Sequence, residues 1–103
     1  MAVYYIGSYD IVNMEEFQHY PPKVLALLPK HKGEVLASDV EAFVLEGKAK
    51  TMNAIVKFPS IDDALGFYND PEYQEKIRPI RIKSTSNCTM LLVKEFNTKV
   101  GNP

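Results

Sequence analysis

Apolar residues open the chain in a dense run, Val3-Tyr4-Tyr5-Ile6-Gly7-Ser8-Tyr9. It is rich in the β-branched and aromatic types that suit a pleated surface, and it reads as a strand. The period then changes. Phe17, Tyr20, Val24, Leu27, Leu28 and His31 recur at steps of three and four, the spacing of one helix face. Asn13, three residues before Glu16, makes a capping-box pattern with Asn in place of Ser or Thr, and starts the helix. Pro21-Pro22 denies two backbone donors and predicts a kink or a restart near Tyr20. Lys30 to Lys32 suit a helix C-terminus, and Gly33 is the expected stop.

Residues 34–39 read as a second strand, Ala42-Phe43-Val44-Leu45 as a short extra strand closed by a turn at Glu46-Gly47, and 51–58 as the next full strand. Ser60 with Asp63 is a second capping signal, and a helix runs from Ile61 to about Asn69 with an inner face of Ile61, Ala64, Leu65 and Tyr68. Asp70-Pro71 breaks it. Pro71 suits the first position of a further helical stripe, Tyr73, Ile77 and Ile80, which Pro79 disturbs. The stretch 84–87 is expected to be a polar loop, 89–96 the last strand, and 97–103 a frayed tail.

The order β-α-β-β-α-β predicts an α+β ferredoxin-like plait: a four-stranded antiparallel sheet with helices on one face, in a single domain over 1–96. The last strand, however, is apolar on both parities, Met90 and Leu92 on one and Leu91 and Val93 on the other. The first strand offers Val3, Tyr5 and Tyr9 to one face and Tyr4 and Ile6 to the other. Helices cover one face only, and an uncovered apolar face of several strands exceeds the usual patch on a monomer. A second copy placed sheet to sheet would cover it, so the pattern predicts a two-fold homodimer closing an α/β barrel.

Composition narrows the partners. Apolar residues at 46% and charged residues at 24% are ordinary globular values and exclude a disordered chain. Twelve basic residues against thirteen acidic ones leave a net charge of −1, without the basic footprint that nucleic acid requires. The longest strictly aliphatic run, 24–28, is far short of the roughly twenty residues of a membrane span. The N-terminus lacks the basic head of a signal peptide. One cysteine, Cys88, permits no internal disulfide and no zinc-ligand spacing, and a cytoplasmic location is expected from the combination. Cys88 reads as a small residue packed in a strand rather than a nucleophile, since no His lies near it in sequence. No metal site and no cofactor is implied; Asp62-Asp63 and Glu15-Glu16 read as helix-start charges.

Several short motifs stand together: Tyr20 before a proline pair, Gly33 ahead of the second strand, Val44-Leu45-Glu46-Gly47, Phe58-Pro59-Ser60 with Ala64, Phe67-Tyr68-Asn69, Pro71-Glu72-Tyr73 and Pro79-Ile80-Arg81. In these the chain resembles, over about Val3 to Val93, the family known as domain of unknown function 1330 in the dimeric α/β barrel superfamily. Phe67 stands where that family often has Trp, and Lys32 where a second glycine is common. The resemblance implies the plait and the dimer and implies no reaction. The wider superfamily includes monooxygenases of aromatic polyketides, lactone isomerases and haem proteins, a likeness of fold only.

Candidate chemistry centres on Arg81, which falls near the inward stripe of Tyr73 and Ile77. A guanidinium beside a core needs an acceptor, either a ligand anion held bidentately or an internal carboxylate such as Glu46, Asp10 or Glu72. Tyr20 and Tyr73 are candidate hydroxyl donors to a flat or carbonyl-bearing ligand, with core packing as the alternative. His19 and His31 are the two histidines, each a conceivable general base or an ordinary helix-end residue, and Glu46 is the carboxylate best placed to meet a cation. Two readings stay open. One is a protein that binds or transforms a small organic, in one version anionic, molecule in a pocket between sheet and helices, using Arg81, Tyr20, Tyr73, His19 and Glu46. The other is a non-catalytic dimeric module.

Overall fold

Four antiparallel strands, β1 (Val3–Ile11), β2 (Glu34–Asp39), β3 (Met52–Phe58) and β4 (Thr85–Lys94), form one sheet in the order β2-β3-β1-β4 in a computed structural model that describes residues 1–97. The tail expected over 97–103 lies outside these residues except for Asn97. This order is the ferredoxin-like plait. The register pairs Val3 with Phe58, Tyr5 with Val56 and Leu92, Gly7 with Ala54 and Met90, and Tyr9 with Met52. Side chains alternate across a sheet, so these residues share the face that the helices cover. Tyr4, Ile6, Ile55, Leu91 and Val93 share the other face, which no helix covers. Cα extents of 45 × 36 × 17 Å fit one sheet carrying one helix layer.

The helical layer is segmented where the prolines fall. Helix α1 (Met14–Phe17) is capped by Asn13, whose side chain accepts from the Glu16 backbone N–H at 3.0 Å. Helix α2 (Tyr20–Leu27) takes Pro21-Pro22 into its first turn, where no intrahelical donor is lost, and runs into a 3₁₀ turn, Leu28–His31. Helix α3 (Ile61–Tyr68) is capped by Ser60, which accepts from Asp63 N–H at 3.1 Å. The chain turns helical again at Pro71, passes through a π turn at Tyr73–Ile77 and ends in α4 (Arg78–Ser84).

Four expectations are corrected. Ala42-Phe43-Val44-Leu45 forms no strand; it lies in the loop between β2 and β3 with Phe43 89% and Leu45 87% exposed, because the chain turns off the sheet at Asp39, whose Oδ1 accepts from Glu41 N–H at 2.7 Å, and leaves the free edge of β2 unpaired. The inner face of α3 is Ala64 and Phe67, with Ile61 and Leu65 turned outward, because Phe67 is drawn to Phe58 and Tyr73 at ring separations of 5.8 and 4.9 Å. The stretch 84–87 is no loop. Ser84 Oγ donates to the Ile80 carbonyl at 2.7 Å and Thr85 Oγ1 to that of Arg81 at 2.6 Å, so orphan carbonyls of α4 are satisfied as the chain enters β4. The left-handed residue that ends the 3₁₀ turn is Lys32, at φ 62°, rather than Gly33. Gly33 N–H bonds Leu28 O at 3.0 Å and Lys32 N–H bonds Pro29 O at 3.2 Å, the double closure of a Schellman motif with the glycine one place late.

Candidate ligand site beneath helix α2

The helix-side face of the sheet is aromatic. Phe58, Phe67, Tyr73, Tyr20, Phe17 and Tyr9 follow one another with ring centroids 4.9 to 6.4 Å apart, a continuous spine under the helices. The hydroxyls of Tyr20 and Tyr73 meet at 2.6 Å, and both residues are buried. The Tyr5 hydroxyl is also buried and finds no acceptor.

The π turn explains how Arg81 joins them. Pro79 lacks an N–H, and its ring crowds the preceding turn. The turn widens, and Arg78 N–H bonds Tyr73 O, five residues back. Eight residues of ideal α-helix would set Tyr73 and Arg81 about 80° apart; one extra residue per turn brings them within about 20°. Tyr73, Ile77, Arg81 and Ser84 are accordingly all buried.

Arg81 is only 2% exposed. One terminal nitrogen, Nη1, donates to Cys88 Sγ at 2.9 Å, and Nε has no acceptor. None of the carboxylates weighed from the sequence reaches it, and among the described residues it forms no ion pair. What surrounds it is phenol. Burial pulls its pKa down, and the nearby Tyr73, Tyr20 and Cys88 more than reverse that, so the guanidinium stays charged. Burial in turn pushes the phenols of Tyr5, Tyr9 and Tyr20 well above their ordinary value, and they are neutral donors at physiological pH. The cluster holds buried donors around a positive charge and, among the described residues, no carboxylate: the Tyr5 hydroxyl, the second hydrogen of the Tyr20–Tyr73 pair and Arg81 Nε–H, with Tyr73 close to both Tyr5 and Arg81.

Two adjoining cavities lie between the sheet and α2. The inner, of about 70 Å³, is lined by Tyr5, Tyr20, Val24, Leu28, Val56 and Phe67 among others. The outer, of about 170 Å³, reaches the β2 edge past Pro21, Val35, Ser38 and Met52. Both are walled by Tyr9, Tyr20, Val24, Ala54 and Val56. Their walls are apolar. Arg81 lies behind the tyrosines rather than on the wall.

Of the five candidate residues, the fold gathers Arg81, Tyr20 and Tyr73. His19 is exposed at the start of α2, beside Asn13, Glu15 and Glu16. Glu46 is exposed in the loop between β2 and β3, where the missing extra strand leaves it without a route to the cluster. His31 is tied into a separate clip: Asp70 Oδ2 meets His31 Nε2 at 2.8 Å and Lys30 Nζ at 2.9 Å, and Oδ1 accepts from Glu72 N–H at 2.9 Å. The hydrogen bonds from His31, then Lys30, then Glu72 hold the Asp70 carboxyl well below the usual carboxylate range. Sequence reasoning missed two participants. Cys88, expected as a small packed residue, is exposed instead; it shares strand parity with Met90, which places it on the helix side within reach of Arg81. Asp70 looked like a helix break and had no signal of its partners. Among the described residues, no three His, Cys, Asp or Glu side chains are grouped to hold a metal ion, and no helix is long and apolar enough to cross a membrane.

A family model described as a domain of unknown function (DUF1330) matches residues 2–96. No curated protein matches. Among solved structures, a protein of unknown function from Rhodopseudomonas palustris superposes with a TM-score of 0.77 at 14% identity, covering 93% of this chain and 83% of the other. A dimeric protein of unknown function with a ferredoxin-like fold from Bacteroides fragilis gives 0.64 at 18% identity, covering 92% and 96%. An antibiotic biosynthesis monooxygenase gives 0.54 at 17% identity, covering 94% and 100%. At these identities the likeness is one of fold.

Proposed function

The chain belongs to the DUF1330 family, and on that premise we propose that it is a homodimer binding a small organic anion between sheet and helices. The observation that carries the ligand is the donor excess around Arg81. A buried guanidinium is costly without a counter-charge, and no carboxylate among the described residues supplies one. A carboxylate or enolate on a largely apolar body matches both parts: the body lies along Val24, Val56 and Met52, and the anionic end meets the Tyr5 and Tyr20–Tyr73 hydroxyls in front of Arg81. The dimer is carried by the open sheet face of Tyr4, Ile6, Ile55, Leu91 and Val93, and the dimeric Bacteroides fragilis neighbour supports it.

A second reading, a dimeric module without a ligand, is favoured by one observation: Arg81 does not line the cavities itself. Native mass spectrometry of freshly purified protein separates the two. The first reading expects a small adduct lost on acid denaturation, and a raised melting temperature with at least one member of a series of apolar carboxylates. No adduct and no response across the series leaves the module. The dimer is checked by sedimentation, which should give twice 11.7 kDa for the native chain and a folded monomer for Leu91→Glu. A native chain sedimenting as a monomer removes the barrel.

A further inference from the structure

We propose that Cys88 is an oxidation site whose sulfenate and sulfinate forms pair with the Arg81 guanidinium. The thiol is exposed on β4, an edge strand. It lies on the helix side, where Arg81 Nη1 reaches Sγ at 2.9 Å, and so away from the open face assigned to the dimer. The second observation is the arginine itself. It is 2% exposed, its Nε lacks any acceptor, and it has no ion pair among the described residues. A fixed positive charge in low-dielectric surroundings is therefore directed at an accessible sulfur, the electropositive and partly exposed setting in which cysteines react.

The oxidant is hydrogen peroxide. Sγ, as the thiolate, attacks one peroxide oxygen. An S–O bond forms and the O–O bond breaks. Sulfur loses two electrons, and the other oxygen leaves as hydroxide, which takes up a proton to become water. The guanidinium stabilises negative charge on the departing oxygen and then on the sulfenate. A second equivalent of peroxide carries the sulfur to sulfinate by the same transfer. Each product gives Arg81 the anion that the chain itself withholds. This rests on Nη1 and sulfur, and it stands whether or not a ligand occupies the Nε side.

The full chain, treated with hydrogen peroxide, is followed by intact mass with a dione that traps sulfenic acid, and the product is localised by peptide mapping. Trapping at Cys88 is expected about tenfold faster in the folded protein than in the same protein in denaturant, and Cys88→Ala should trap none. Stability gives an independent readout. The sulfinate form should melt above the reduced protein, and Cys88→Asp, which sets a carboxylate beside Arg81, should melt above Cys88→Ala. Trapping no faster than in denaturant overturns the reactivity, and Cys88→Asp melting at or below Cys88→Ala overturns the ion pair.

Discussion

The hydroxyl oxygens of Tyr20 and Tyr73, 53 residues apart in the chain, lie 2.6 Å from each other in the interior. That contact ties the first turn of α2 to the π turn ahead of α4. A buried hydroxyl pair contributes about 1 kcal/mol net, and stranding one member costs about 1–3 kcal/mol. Tyr20→Phe and Tyr73→Phe should each destabilise by about 1–2 kcal/mol in urea unfolding, and the double variant by less than their sum. Strict additivity would mean that the two hydroxyls do not interact.

Arg81→Met is expected to be mild. Losing an arginine from a buried ion pair costs about 3–5 kcal/mol because its carboxylate is left alone. Arg81 leaves no carboxylate behind, only phenols and a thiol. Methionine keeps the length and apolar stem, so a change within about 2 kcal/mol of zero is expected, in either direction. A loss above about 3 kcal/mol would reveal a charge partner that the geometry does not show.

The turn into β2 offers a paired test. A Cβ on Gly33 would lie 2.6 Å from Leu28 Cδ2 and 2.8 Å from Phe58 Cε1, both in fully packed side chains. Gly33→Ala should cost about 1–3 kcal/mol. On Gly7 the Cβ would meet Met90 Sδ at 2.8 Å, the end of a flexible side chain, so Gly7→Ala should cost less. Lys32, held at φ 62°, should gain about 1 kcal/mol on replacement by glycine. Thermal unfolding of the three variants should rank them Lys32→Gly, Gly7→Ala, Gly33→Ala from highest to lowest melting temperature.

Asp70 sets an acid limit. Its carboxyl is held below the ordinary value of 3.8 in the folded state, so the folded chain favours the ionised form more than the unfolded chain does. That stabilisation is complete above about pH 5 and fades as pH falls through the ordinary value toward the lowered one. Urea midpoints for native chain and Asp70→Asn should differ most near neutrality and converge in acid. A gap that widens on acidification would reverse the sign of the argument.

These tests fall on features that the sequence disclosed unevenly. Strand β2 was readable to its ends, and both capping residues, Asn13 and Ser60, do what their spacing implied. Parity also separated the two sheet faces, because a one-residue error would have put Tyr5 and Tyr9 in solvent. Tyr20 and Tyr73 could be named as candidates because helical spacing pointed them inward; Arg81 fell only near that stripe, and the π turn that brings it fully in has no signature in the spacing. Glu46 and His19 could not be placed, because one sits in a loop and the other at a helix restart, where no periodicity fixes direction. The pairing of Asp70 with Lys30 and His31 spans about forty residues and joins two helix ends. Nothing local encodes such a contact; only the closure of the plait brings its members together.

The widened turn at Tyr73–Ile77 makes the interior sensitive to chain length as well as to side-chain identity. Removing one residue between Tyr73 and Ile77 would let the segment relax to regular pitch with Tyr73 and Arg81 still within about 20° of each other, because the widened turn absorbs one extra residue. Straightened at its present length, the segment would instead leave Tyr73 and Arg81 about 80° apart, and one added residue would turn α4 by about a further 100°, so the two could not both face inward. A chain longer by one codon there could keep its strands, its sheet order and its caps, yet have a neutral interior in place of a charged one. Insertions at this point, but not the single deletion that restores regular pitch, would therefore divide plaits of nearly equal sequence into two chemical kinds.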